Sequence, residues 1–304
     1  MKDNYPHIGL SRFCRLLGIT RQAYYKHFWY KESESIEQNL VLDQVRLIRK
    51  THRRMGTRKL YELLQNFMLE HQIKMGRDAL FDLLAANNLL VRRKRKNIYT
   101  TNSFHWLRKY PNLIKEMKLT SVNQLWVSDI TYLKISSGFV YISFVTDAYS
   151  HKIMGYHIAQ NLDAVETLQA LKMAISQLSI NHEEIIHHSD RGIQYCSSEY
   201  VNLLMQNKIK ISMTENGDPL ENSIAERING ILKEEYLEHY TIQNIQQARE
   251  ILDQAVKLYN SSRPHFSIGL LTPDSVHQHN LKTERLWKNR YVKPTAADHS
   301  INEK

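Results

Sequence analysis

With 304 residues, 42% of them apolar and 24% charged, the chain is long enough for about two globular domains of roughly 100–200 residues each. Its net charge of +10 is uneven: residues 1–120 hold 24 Lys+Arg against 10 Asp+Glu (net +14), and residues 121–304 hold 17 against 21 (net −4), so a polyanionic partner is expected at the N-terminal part. No apolar run approaches the ~18–20 residues of a membrane span, the opening MKDNYPHIGL lacks a secretory core, and Cys14 and Cys196 form no CxxC pair, which excludes a membrane span, a secretory leader and a four-cysteine zinc site and leaves a cytoplasmic protein with reduced thiols as the expectation.

The first elements are helical. In SRFCRLLGITRQAYYKHF (11–28), Phe13, Leu16 and Leu17 follow helical spacing, Gly18 interrupts, Thr20 stands at an N-cap position, and a short second helix is expected from Arg21 to Phe28. This is a helix-turn-helix pattern within about 8–30. A second lies within about 55–90: Leu60, Leu63 and Leu64 mark one stripe, and Ala79, Leu80, Leu83 and Leu84 another. Arg53, Arg54, Arg58 and Lys59 precede the first stripe, and Lys74 and Arg77 lie between the two. The run Arg92, Arg93, Lys94, Arg95, Lys96 repels itself unless an anion neutralises it, as phosphates would. Arg21, Arg58, Lys59 and this run are the candidate DNA contacts. Residues 1–100 are thus expected as a helical DNA-binding region. Residues 101–120, with Pro111 and little periodicity, are expected as a linker.

From Leu125 the texture changes. LWVSDITYLKI is a strand, Ser136, Ser137 and Gly138 a turn, FVYISFVTDAYS a second strand and HKIMGYHIA a third. A helix is expected over Ala164 to Leu178, with Val165, Leu168, Leu171, Met173 and Ile175 on its buried side. EIIHHSD is a fourth strand, Ser198 to Asn207 a helix, IKISMT a fifth strand, and Asn222 to Leu237 a long helix. This order is that of ribonuclease-H-like α/β domains, expected over 121–280. The tail 281–304, with Lys282, Arg285, Lys288 and Arg290, carries no assignable role.

Three acids stand out. Asp129 sits inside an otherwise apolar strand, where a carboxylate is costly unless its charge is stabilised. Asp190 ends the fourth strand. Glu226 lies on the long helix, whose Ile224, Ile228, Ile231 and Leu232 should face the sheet while Asn222, Glu226, Asn229 and Lys233 form a polar side. Phosphodiester displacement needs charge offset at both the entering and the leaving oxygen, which two divalent ions can supply. Mg²⁺ takes hard oxygen ligands, and no His/Cys cluster suits a softer metal. Asp147 also ends a strand and is read as a turn or supporting residue.

The acids are separated by 60 and 35 intervening residues. With NQLWVSDITYL (123–133), HHSDRGIQYCS (187–197), ENSIAERINGILKEE (221–235) and YNSSRPHFSIGLLTP (259–273), this resembles the D-D-35-E transposases and retroviral-type integrases. It is most similar to the second-frame product of the insertion-sequence-3 family of bacterial transposases, over about residues 8–275. The resemblance implies that Asp129, Asp190 and Glu226 are catalytic acids holding Mg²⁺ or Mn²⁺, as two ions. It implies that Lys233 binds the element's DNA end, and that the reaction is hydrolysis at that end followed by attack of the freed 3′-hydroxyl on another phosphodiester, with no covalent enzyme intermediate. Its implied partners are end and target DNA, further copies of the chain on DNA, and an upstream-frame protein as partner or fusion. Ile193 and Cys196 replace the Ser and Thr of many relatives, and neither substitution touches an acid. Two rivals, a DNA-binding regulator with a silent core and a structure-selective nuclease, are disfavoured by the complete triad and by the helix-turn-helix segments with the YN-x-x-RPH block.

Overall fold

The computed structural model describes residues 9–91, 106–178, 184–215, 219–284 and 286, without the side chains of 26–35 and 219–220. It divides into two compact units, Met1–Lys94 and Arg95–Lys304.

The first unit is helical. Helix α1 (Leu10–Leu16) ends at Gly18, whose φ of +67° suits a residue without a side chain. Thr20 caps helix α2 by accepting from the Ala23 amide (3.0 Å). The turn is as expected, but α2 does not stop at Phe28: it runs Arg21–Thr51, 31 residues. The sequence from 21 to 51 contains no Gly or Pro, so nothing local ends the helix. Helices α3 (Thr57–Glu70) and α4 (Arg77–Ala86) form the second helical pair. Leu60, Leu64, Met68, Leu80 and Leu84 pack against Val41, Leu42 and Val45 of α2. Leu63 and Ala79, expected in the stripes, are exposed. The Arg49 guanidinium ties this cluster together by donating to the carbonyls of Leu89 (2.6 Å) and Met55 (3.1 Å).

The second unit is built on a five-stranded mixed sheet of order β3-β2-β1-β4-β5. Strands β1 (Leu125–Ile135), β2 (Gly138–Asp147) and β3 (Ile153–Ala159) form an antiparallel meander, and β4 (Ile186–Ser189) and β5 (Lys210–Met213) add in parallel. One face of the sheet carries helix α5 (Ala164–Ile175), the short α6 (Ile193–Cys196) and α7 (Ser198–Gln206), packed on Trp126, Val145 and Met154. The other face carries α8 (Ser223–Ile231) and α9 (Ile245–Ser262), packed on Leu133, Ile142 and Phe144. A last helix, α10 (Pro273–His279), follows.

Two helices differ from expectation. Helix α5 buries Thr167, Ala170, Leu171 and Ala174, while Val165 and Met173 are exposed. Its small residues face β3 because the two backbones approach closely: a Cβ on Gly155 would lie 2.0 Å from the Ala170 carbonyl oxygen. The long helix expected over 222–237 is α8 followed by a π-helical turn, Leu232–Leu237.

Residues 106–119, expected within a linker, lie against this unit. Leu107 and Tyr110 pack on one core, and Ile114, Met117 and Leu119 on another. The edge strand β5 donates from Met213 N to Pro111 O (3.3 Å). Among the described residues no helix is long and apolar enough to cross a membrane.

Candidate active site

Asp129 sits in the centre of β1, opposite Phe144 of β2. The parallel register of β1 with β4 pairs Val127 with His188. Continued two residues along both strands, that register brings Asp129 level with Asp190, which follows the last residue of β4. The Asp190 Oδ1 accepts from Gly192 N (3.0 Å), closing the turn into α6. Glu226 lies in the first turn of α8, which packs on β1 and β2, and its side chain is exposed.

Electrostatics couples the three acids. Burial, then the charge of Asp190, and more weakly that of Glu226, push the Asp129 carboxyl up to about 8. The hydrogen bonds it accepts from Ile130 N (2.9 Å) and Asn229 Nδ2 (2.8 Å) act the other way. Among the described residues no three His, Cys, Asp or Glu side chains stand close enough together to hold a metal ion as they are. The donor chemistry nevertheless fits a hard divalent cation: carboxylate oxygens from a strand, a strand end and a helix, with the charges of Asp190 and Glu226 opposing that of Asp129.

The neighbouring imidazoles do not join this set. The His187 Nε2 lies 2.7 Å from Ser128 Oγ and 3.0 Å from Tyr200 OH, and burial, then the charge of His188, holds the ring down to about 3. The His188 Nδ1 meets Ser212 Oγ (2.8 Å). Asp147, fully buried, has both its oxygens engaged: Oδ1 accepts from Ser150 N (2.8 Å) and Ser150 Oγ (2.6 Å) within its own turn, and Oδ2 from Asn123 N (2.7 Å) ahead of β1. It is a turn residue.

Lys233 falls in the π-helical turn, half-buried, with its ammonium 4.3 Å from the centre of the Tyr132 ring on β1. It is held in place there, not loose in solvent as a lysine on an exposed helix face would be. Arg21 opens α2, and Arg58 and Lys59 lie in the first turn of α3; Arg21 and Arg58 are exposed and Lys59 is half-buried. All three stand on the first unit and the acids on the second. Arg92, Arg93, Lys94, Arg95 and Lys96 lie outside the described residues.

Two features escaped the sequence reading. Asn222 and Asn229, expected on a polar face, are buried and bonded to β1: Asn222 Nδ2 donates to Ser128 O (2.9 Å) and Asn229 Nδ2 to Asp129. Their seven-residue spacing on one helix was the available signal. The YN-x-x-RPH block also acts internally. The Asn260 amide pairs with the Ile153 backbone through both its atoms (3.0 Å each), and Arg263 forms a two-pronged ion pair with Glu235 of the π-helical turn.

Sheet order and helix placement define an α/β core of the ribonuclease-H-like class. Comparison with known proteins agrees. Residues 120–219 and 207–273 match two family models, each described as an integrase core domain. The chain is 34% identical over 265 residues to the uncharacterized 31 kDa protein of insertion element IS600 from Shigella sonnei, covering 86% of this chain and 95% of that one. It is 26% identical to the transposase of insertion sequence IS3A from Escherichia coli (strain K12), covering 92% and 98%. Among solved structures, the HTLV-2 integrase catalytic core domain in complex with magnesium aligns at 21% identity and a TM-score of 0.42, covering 51% of this chain and 96% of that one. The chain belongs to the insertion-sequence-3 family of DDE transposases, enzymes that cleave DNA and transfer its strands during transposition.

Proposed function

We propose that Asp129, Asp190 and Glu226 are the catalytic centre and hold two divalent ions, Mg²⁺ or Mn²⁺. The observation that carries this is the strand register that sets Asp129 beside Asp190, with the charge of Glu226 felt at Asp129. When bound, the ions supply Lewis-acid stabilisation of the entering and leaving oxygens. The chain's own part is to fix three hard anionic ligands on a strand centre, a strand end and a rigid helix, and to bind the DNA around them. Water displaces the 3′-oxygen at the element's end, and the freed 3′-hydroxyl then displaces a 3′-oxygen in the target. No side chain serves as nucleophile, so the roles of the chain are ligation, orientation and phosphate binding. In this reading the enzyme works in the cytoplasm, on DNA, as several copies, with an upstream-frame protein as partner or fusion.

Residues 1–100 are the DNA-binding region in this reading, with Arg21, Arg58, Lys59 and the run Arg92 to Lys96 against phosphates. Six to ten such contacts lose ~10³–10⁵ in affinity between about 50 and 200 mM salt. A fragment of residues 1–100 is therefore expected to bind DNA with that salt dependence; a flat titration would assign the +14 charge another purpose.

Lys233 binds a phosphate near the scissile bond as a point charge. Lys233→Ala is expected to weaken binding of an oligonucleotide carrying the terminal inverted repeat and to lower the slope of log affinity against log salt by about one. Cleavage at saturating DNA should change less, and Lys233→Arg should be milder. Measuring the dissociation constant and the saturated rate together tests this, and an unchanged dissociation constant would remove Lys233 from the interface.

A further inference from the structure

We propose that Asn229 is a positioning residue of the same centre, its amide holding the Asp129 carboxylate in the orientation that ligation needs. The proposal rests on the reading of the three acids as a metal centre.

Two asparagines meet β1, Asn222 just ahead of α8 and Asn229 within it, and their tasks differ. Asn222 grips a backbone carbonyl, Ser128 O, at 2.9 Å. That contact, with Ile228 and Ile231 buried in the core beside it, fixes the helix whatever side chain stands at 129. Asn229 instead grips a side-chain oxygen, Asp129 Oδ2, at 2.8 Å, while the other oxygen accepts from Ile130 N at 2.9 Å. Each Asp129 oxygen thus has one defined donor and a second lone pair to offer, so the carboxylate cannot rotate freely. Both donors also favour its charged form, the form a cation binds.

Asn229 makes this contact at a cost to itself. It is buried, and its own Oδ1 finds no protein partner. A buried unpaired acceptor is unfavourable, so an apolar residue of similar shape would serve the fold better. What asparagine adds is a neutral donor at the carboxylate. Aspartate would add a fourth like charge, and leucine would add no donor. Because Asn229 stands three residues after Glu226 on α8, the same contact couples the helix acid to the strand acid.

The test is titration of the full-length chain with Mn²⁺ alone, followed by calorimetry without DNA, alongside thermal melting and end-cleavage kinetics. Partners of metal ligands typically carry 10–100-fold in metal affinity. Asn229→Leu is expected to weaken Mn²⁺ binding by about that factor. Its melting temperature should be at or above that of the parent, and the saturated cleavage rate should fall without a change in KM for DNA. Asn229→Ala, which leaves room for solvent beside Asp129, should show the same metal defect and provides the answer if the leucine does not fold. Mn²⁺ affinity within twofold of the parent in either folded variant overturns the proposal, as does a cleavage loss that follows the melting temperature alone. Asp129→Asn separates the two readings. If it binds Mn²⁺ like the parent, the acids are not the metal centre; if it fails to bind while Asn229→Leu binds normally, only the role of Asn229 falls.

Discussion

Asp129→Asn, Asp190→Asn and Glu226→Gln are each expected to lower cleavage of the element's end by at least ~10³-fold while the chain stays folded. Each change keeps the shape of the side chain and removes one hard anionic ligand. Metal stabilisation of a phosphoryl displacement amounts to several kcal/mol, and each 1.36 kcal/mol is tenfold in rate. The fold should tolerate the substitutions. Glu226 is exposed, and Asp190 accepts from Gly192 N in the turn that follows β4. At Asp129 the change should be neutral or stabilising in metal-free buffer. It removes a charge that burial and two neighbouring carboxylates oppose, and the Asn229 amide can turn to present its oxygen to the new one. Cleavage assays paired with thermal melts check this, and a variant that cleaves near the parental rate leaves the site.

The largest effect on stability is expected at Arg263. Its side chain is buried, and Nε and one terminal nitrogen donate to Glu235 Oε2 (2.8 Å) and Oε1 (2.6 Å). Tyr259 stands beside it, with the guanidinium 5.9 Å from the ring centre. Removing one partner of a buried ion pair leaves the other charge uncompensated, at about 3–5 kcal/mol. Arg263→Ala should therefore lose that much in urea unfolding, a large share of the ~5–15 kcal/mol of a typical domain. Replacing both Arg263 and Glu235 by apolar residues of similar volume should recover most of it. Because Glu235 belongs to the turn that carries Lys233, the singly substituted chain should also bind end DNA more weakly. An Arg263→Ala chain as stable as the parent would mean that the pair braces nothing.

Much of this was legible in the sequence because period and context agreed there. The β-branched and aromatic residues of LWVSDITYLKI and the short turn at Ser136–Gly138 gave a meander, and the acids fell where strands and helix could present them. The misses share one cause: tertiary contacts decided what local pattern left open. No Gly or Pro marks where α2 should end, so the apparent change of pattern at Phe28 carried no stop signal. Asn222 and Asn229 are polar by type, yet buried, because β1 offers each an acceptor. Residues 106–119 have no periodicity, yet Tyr110, Ile114 and Met117 find cores built by strands far along the chain. The π-helical turn is tied to Arg263, 28 residues beyond Glu235. Val165 and Met173 look like core residues by composition, but the close approach at Gly155 selects alanines for the buried side of α5.

The central claim is that the three acids act as one divalent-ion site. The most direct measurement is cleavage of an oligonucleotide bearing the terminal inverted repeat, in Mg²⁺ and in chelator, by the parent chain, the three single variants and the Asp129→Asn/Glu226→Gln pair. Residues that work as a unit are non-additive, because the first loss already removes the function. The predicted result is cleavage by the parent in Mg²⁺ only, with the single variants and the pair falling to one common floor. Losses that add between Asp129 and Glu226, or near-parental cleavage by any single variant, would contradict the account.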